Sequence, residues 1–256
     1  MLSRRGFLEL VVSGSLGAIV LPLLPYTALG RGSRFTLCQL VYPGNWNPRP
    51  NFSSRLLAAI EMRTSVVVSR EKKTLSAGAA NLFEYPFIYM AGDGGFEPFT
   101  GDERARLRRY LKLGGTMFID DATGRKHSEF DRRVREELRG ILPEDDFRRI
   151  PASHAVYKSF YLLPSAAGRK IVEPYLEGIT LSGEDRTPVI YSRNDIAGAL
   201  EEDAFGKWEY ACVPGGEPQR ELAFRVAINV IVYALSGDYK TDRVHEPFIR
   251  RRQRAL

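Results

Sequence analysis

Phe87-Ile88-Tyr89-Met90, then Thr100-Gly101-Asp102-Glu103, then Thr116-Met117-Phe118-Ile119-Asp120-Asp121 succeed one another along the chain. The outer two are short apolar runs rich in aromatic and branched residues, and they read as buried strands. Pro86 opens the first, a position where a missing backbone donor is tolerated. Gly92-Asp93-Gly94-Gly95 follows it as a turn. Thr100 and Glu103 stand at capping-box spacing, so each side chain satisfies the other's free backbone N–H at a helix start. Leu107, Tyr110 and Leu111 then fall on one helical face, and Gly114-Gly115 ends the helix. Strand, helix and strand in this order predict a βαβ unit.

Upstream, Phe35-Thr36-Leu37-Cys38-Gln39-Leu40-Val41 reads as a first strand, broken by Pro43-Gly44-Asn45 and Pro48. Ser53 is the expected cap of a helix carrying Leu56, Leu57 and Ile60, and Val66-Val67-Val68 reads as a short buried strand. Downstream, Phe130, Val134, Leu138 and Ile141 form a helical stripe. Gly178 to Tyr191 suggests a hairpin or a pair of loops. Leu222 to Leu235 is almost wholly apolar and reads as a central buried helix. Its exceptions Arg225, Asn229 and Tyr233 share one face, to line a polar crevice or to tie down neighbouring loops. Alternating strands and helices predict an α/β domain with a mostly parallel central sheet covered on both faces.

The whole chain fits that reading. With 256 residues, 44% hydrophobic and 27% charged, it is neither disordered nor fibrous. Its net charge of +6 is concentrated at the ends: residues 1–30 carry +1 and residues 239–256 carry +4, leaving +1 for residues 31–238. A nearly neutral body excludes a nucleic-acid-binding core. Ser3-Arg4-Arg5-Gly6-Phe7-Leu8, the diluted apolar stretch Leu10 to Leu24 and the small residues around Ala28-Leu29-Gly30 have the order of a twin-arginine export signal. The expected organisation is a signal peptide over 1–30, one α/β domain over 31–238 and a basic tail over 239–256. The body is then expected outside the cytoplasm, periplasmic or membrane-anchored, with the tail solvated or touching anionic lipid. Cys38 and Cys212 are the only cysteines. An oxidising compartment permits a disulfide between them, and the apolar setting of Cys38 suits a buried structural thiol.

Ligands of open α/β sheets sit outside the carboxyl ends of the strands. Three such ends carry candidate binding residues: Tyr42 and Trp46 after the first strand, Asp93 among glycines, and Asp120 with Asp121. His127 and His154 are the histidines of the body, and His154 is a further candidate binding residue that also joins Asp93 and Asp121 as a candidate catalytic group. Two carboxylates and a histidine suit a metal site or general acid–base chemistry. Successive strand residues point to opposite faces, however, so Asp120 and Asp121 need not share a site. The glycine turn lacks the lysine and the spacing of a phosphate loop. No cofactor or metal is assigned.

Several ordered runs carry a family resemblance. These are Tyr85 to Gly94, Leu107 to Leu111 with Gly114 to Asp121, Ser153-His154-Ala155-Val156-Tyr157, Ile190 to Ile196, and Asn229 to Leu235. Together, from Arg34 to Gly237, they resemble the bacterial domain of unknown function DUF4159. The resemblance implies a flavodoxin-like three-layer sandwich similar to class I glutamine amidotransferase and trehalose-utilisation domains. It implies little about activity, because fold does not fix function. In amidotransferases a nucleophilic cysteine follows a strand that comes after a Gly-Gly turn. Here Asp120-Asp121-Ala122 stands in that place, and no cysteine lies between Cys38 and Cys212. A thiol mechanism is therefore excluded. Ala155 also departs from the proline that many relatives carry after the histidine. The expected role is a non-catalytic module for a small polar ligand or a protein partner. The alternatives are a hydrolase using Asp121, Asp93 and His154, and an accessory subunit of a membrane assembly.

Overall fold

The computed structural model describes residues 34–236. The expected signal peptide and basic tail lie outside the described residues. Seven strands form one sheet: β1 (Cys38–Val41), β2 (Lys73–Ser76), β3 (Phe87–Gly92), β4 (Thr116–Asp121), β5 (Phe147–Arg149), β6 (Glu177–Ile179) and β7 (Val189–Ser192). Their order is β2-β1-β3-β4-β7-β6-β5. The first five pair in parallel, while β5 and β6 are antiparallel. Among the described residues five α-helices accompany them: α1 (Phe52–Arg63), α2 (Gly101–Lys112), α3 (Glu129–Ile141), α4 (Ile196–Leu200) and α5 (Gly216–Leu235).

The central strands β1, β3, β4 and β7 are buried on both faces, and their side chains alternate between two cores. In β4, Met117 and Ile119 enter one core and Phe118 the other; in β3, Ile88 and Met90 oppose Phe87, Tyr89 and Ala91. One core holds the apolar faces of α1, α4 and α5, and the second holds those of α2 and α3. The result is the expected α/β sandwich of three layers, with parallel strands in the flavodoxin-like order. The Thr100–Glu103 capping box forms, and the stripe Phe130, Val134, Leu138 and Ile141 is buried.

Some local expectations shift. The strand expected at Val66–Val68 is a single bridge from Val68 to Phe35, with Val67 exposed. The strand proper, Lys73–Ser76, buries only Leu75 and lies at the sheet edge, where one covered face suffices. Asn51, not Ser53, precedes α1, and its backbone N–H is held by the Glu201 carboxylate at 3.0 Å. The hairpin reading of 178–191 is realised by β6 and β7. On α5, Asn229 accepts from Tyr161 N and donates to the Val156 and Tyr161 carbonyls, while Tyr233 accepts from Thr187 N. These two polar residues tie down loops.

Candidate functional site

From β1 the chain goes to β2 on one side, whereas β3 lies on the other, so a topological switch falls between β1 and β3. Tyr42 and Asp93 follow these two strands. Tyr42 is buried, and its hydroxyl donates to the Ala91 carbonyl at 2.5 Å. Burial, then the charges of Asp93 and Asp121, push its pKa up, so it remains a donor. A Cβ on Gly92 would collide with that hydroxyl and with the Phe130 ring. Asp93 itself is exposed, and Asn45 Nδ2 donates to both its oxygens at 2.9 and 3.0 Å. Trp46 is half-buried against the second core, and its carbonyl accepts from Gln39 Nε2 at 2.7 Å. The structure thus brings Tyr42, Trp46 and Asp93 to one end of the sheet.

Asp120 and Asp121 end β4 and are both fully buried, but on opposite faces, as strand alternation requires. Asp120 continues the Phe118 face. It accepts from Ile196 N at 3.0 Å and Ala197 N at 2.8 Å, where α4 begins. Burial, and then the charge of Asp195, raise its pKa to about 7 against the lowering effect of those two N–H groups. Asp121 continues the Ile119 face. It accepts from Thr123 N at 2.8 Å, from the Thr123 hydroxyl at 2.6 Å and from the Ser128 hydroxyl at 2.5 Å, beside the start of α3. Burial outweighs these bonds, and its pKa is also raised. Each aspartate anchors a strand-to-helix connection.

The strongest charge cluster at this end centres on Asp195. This residue follows β7, has a left-handed backbone (φ 54°, ψ 61°) and caps α4 through Gly198 N. Such a conformation at a non-glycine residue is uncommon, and aspartate is among the residues that tolerate it. A Cβ on Gly198 would collide with the Asp195 carboxylate, so the helix needs glycine there. Asp195 is fully buried and carries two guanidinium partners. Arg49 reaches it from the β1 loop through Nε at 3.1 Å and Nη2 at 2.7 Å, and Arg169 Nε donates from the other side. Both arginines lie over the Tyr210 ring, at 4.5 and 5.4 Å from its centroid. Arg49 Nη2 also donates to the Ala122 carbonyl at 2.9 Å, which ties the ends of β1, β4 and β7 together. Sequence reasoning missed Arg49, Arg169 and Tyr210 because each arrives from a loop. Asp195 left a usable signal as a capping residue before Ile196-Ala197-Gly198.

His154 lies elsewhere. Its Nε2 meets the Thr187 hydroxyl at 3.0 Å, and its ring packs on Tyr233 at 5.3 Å. Thr187 precedes β7, whereas Asp120 pairs with Ser192 at the far end of that strand. At a rise of roughly 3.3 Å per residue, His154 and the aspartates are separated by roughly 16 Å of strand. The structure therefore does not bring together Asp93, Asp121 and His154, and their proposed joint acid–base or metal site does not form. The histidine at the carboxyl end is the exposed His127. Among the described residues, no cluster of His, Cys, Asp and Glu could hold a metal ion. Cys38 and Cys212 are free and buried, and they lie in different cores. Burial pushes the Cys38 thiol up to about 12 and also raises that of Cys212, which favours the protonated form of both.

A cavity of about 230 Å³ opens at the other edge of the sheet, between β5 and β6, lined by Asp145, Arg148, Thr180 and Ser182 among others. Asp145 there accepts from Ser182 N and its hydroxyl, both at 2.7 Å, and Arg148 pairs with Asp146. A family model described as domain of unknown function DUF4159 matches residues 36–235. No curated protein matches the chain.

Proposed function

Since the chain belongs to the DUF4159 family, a domain whose description names no reaction, we propose that it is a non-catalytic binding module on an amidotransferase-like scaffold. Its ligand is a small polar molecule or a loop of a partner, received where the parallel strands end. One observation carries this reading: two of the three groups that a hydrolase here would use, Asp121 and His154, are bound into the fold and stand apart from each other. Asp120 and Asp121 each bind the start of a helix, Asp195 is held between two arginines, and His154 is at the opposite end. A catalytic acid or base must instead reach the proton it moves. Asp93 with Asn45, next to Trp46, remains open to solvent at the carboxyl end of the strands.

The module acts outside the cytoplasm, a reading supported by Arg4-Arg5 and the apolar stretch that follows. A thermal-shift panel of sugars, carboxylates and phosphates, run beside chromogenic ester, phosphoester and glycoside substrates, tests the main proposal. The expected result is a raised melting temperature with at least one compound and no turnover of any substrate. Turnover that disappears in Asp121→Ala while the fold persists would overturn it. The mass of the exported protein tests localisation, with an N-terminus near Arg31 as the expected result.

A further inference from the structure

The two guanidinium groups on Asp195 are not equivalent. Arg49 uses all its nitrogens: Nε and Nη2 meet Asp195, Nη2 also meets the Ala122 carbonyl, and Nη1 meets the Pro48 carbonyl and the Tyr210 hydroxyl. Arg169 donates through Nε alone, and among the described residues its two Nη groups make no hydrogen bond. Its side chain is 17% exposed, so those donors face the rim of the site. Lys170 and Arg125 make no ion pair among the described residues, and Arg125 is exposed. The loop after β4 reaches this spot because Gly124 is left-handed, at φ 59°. A Cβ there would lie 2.7 Å from Lys170 Cγ and 3.3 Å from Arg169 Nη2, so only glycine leaves this space clear. Two neighbouring carboxylates are already engaged: Glu173 pairs with Lys126 at 2.9 Å, and the buried Asp195 pairs with Arg49 and Arg169.

We propose that Arg169, with Lys170 and Arg125 around the Gly124 turn, forms an oxyanion-binding site that takes the phosphoryl or carboxylate group of a small ligand. The proposal deepens the binding-module reading and rests on it. Two arginines on one carboxylate leave a surplus positive charge, although the body as a whole is close to neutral. Asp195 and Tyr210 already fix the Arg169 guanidinium, so little side-chain freedom is lost on binding. A planar fork with two free donor groups matches two oxygens of one anion.

The test is titration of the full chain with inorganic phosphate and, separately, with succinate, followed by calorimetry and by amide chemical shifts. Either anion should move the signals of Gly124, Arg125 and Lys170, and the preferred anion identifies the ligand group. Arg169→Lys keeps a charge against Asp195 but loses the fork, and it should weaken binding about tenfold, the loss of one charge-assisted hydrogen bond. Lys170→Ala, which leaves Asp195 untouched, should weaken it severalfold with an unchanged melting temperature. No binding of either anion, or equal binding in both variants, overturns the site. A neutral polyol that binds when neither anion does would sink this inference and leave the binding-module reading standing.

Discussion

Asp120 and Asp121 are neighbours in sequence with different tasks, and Asp120 has the stronger pH signature. Its carboxyl titrates near 7 in the folded protein and near 3.8 when unfolded. Between these values the folded state holds a proton that the unfolded state has released. The contribution of Asp120 to stability is therefore fully present below about pH 4 and is lost as pH rises towards 7. Tyr89, Asp195, Asp121 and Arg49 are the titratable groups that act on it. Asp120→Asn removes the proton but also one acceptor for the α4 N–H groups. Chemical denaturation across pH 5 to 8 should show a flatter stability profile for the variant, on a baseline lowered by about 1–3 kcal/mol for an unsatisfied buried group. A profile as steep as that of the parent would remove Asp120 as its source. The adjacency of the two acids was plain in the sequence. Their separation followed from strand alternation once β4 was recognised, but their partners in α4 and α3 did not.

At the scale of elements, the connections after β1 and β3 depend on close approach. Gly92 ends β3 against Tyr42 and Phe130, whereas a Cβ on Gly94, two residues later, meets nothing within 4 Å. Gly92→Ala should cost about 1–3 kcal/mol by overpacking, and Gly94→Ala should be neutral or slightly stabilising because it restricts the unfolded chain. Thermal unfolding of the two variants checks the contrast, and equal melting temperatures would mean that the Tyr42 contact yields without cost. The long elements were legible because their periodicity is strong: α2 and α3 announce their buried faces and their caps. The short ones were not. The five residues of α4 are too few to show a period, and their stability comes from Asp195 and Asp120 rather than from propensity.

For the molecule as a whole, the sheet divides the interior in two and places the cysteines on opposite sides. Cys38 packs with α2 and α3, and Cys212 with α1, α4 and α5. A disulfide cannot span a sheet between two such layers, since its Cα atoms must lie within about 7 Å. A thiol-reactive aromatic disulfide should leave the native protein unlabelled and titrate both thiols after unfolding, and reductant should not move the melting temperature. A mass lighter by two hydrogens would contradict this arrangement. The same partition explains why His154 could not join the aspartates: its loop packs at the amino end of β7, beside the end of α5.

The sequence alone determined the α/β class, the parallel core strands and the family, because these follow from periodicity, capping residues and ordered motifs. Only the tertiary structure decided which polar residues meet. Arg49, Arg169 and Asp195 are separated by long stretches of chain, and their encounter depends on where β1, β4 and β7 end relative to one another. Local patterns record what each segment buries. They do not record which loops converge, since that is fixed by strand order and by the packing of whole layers.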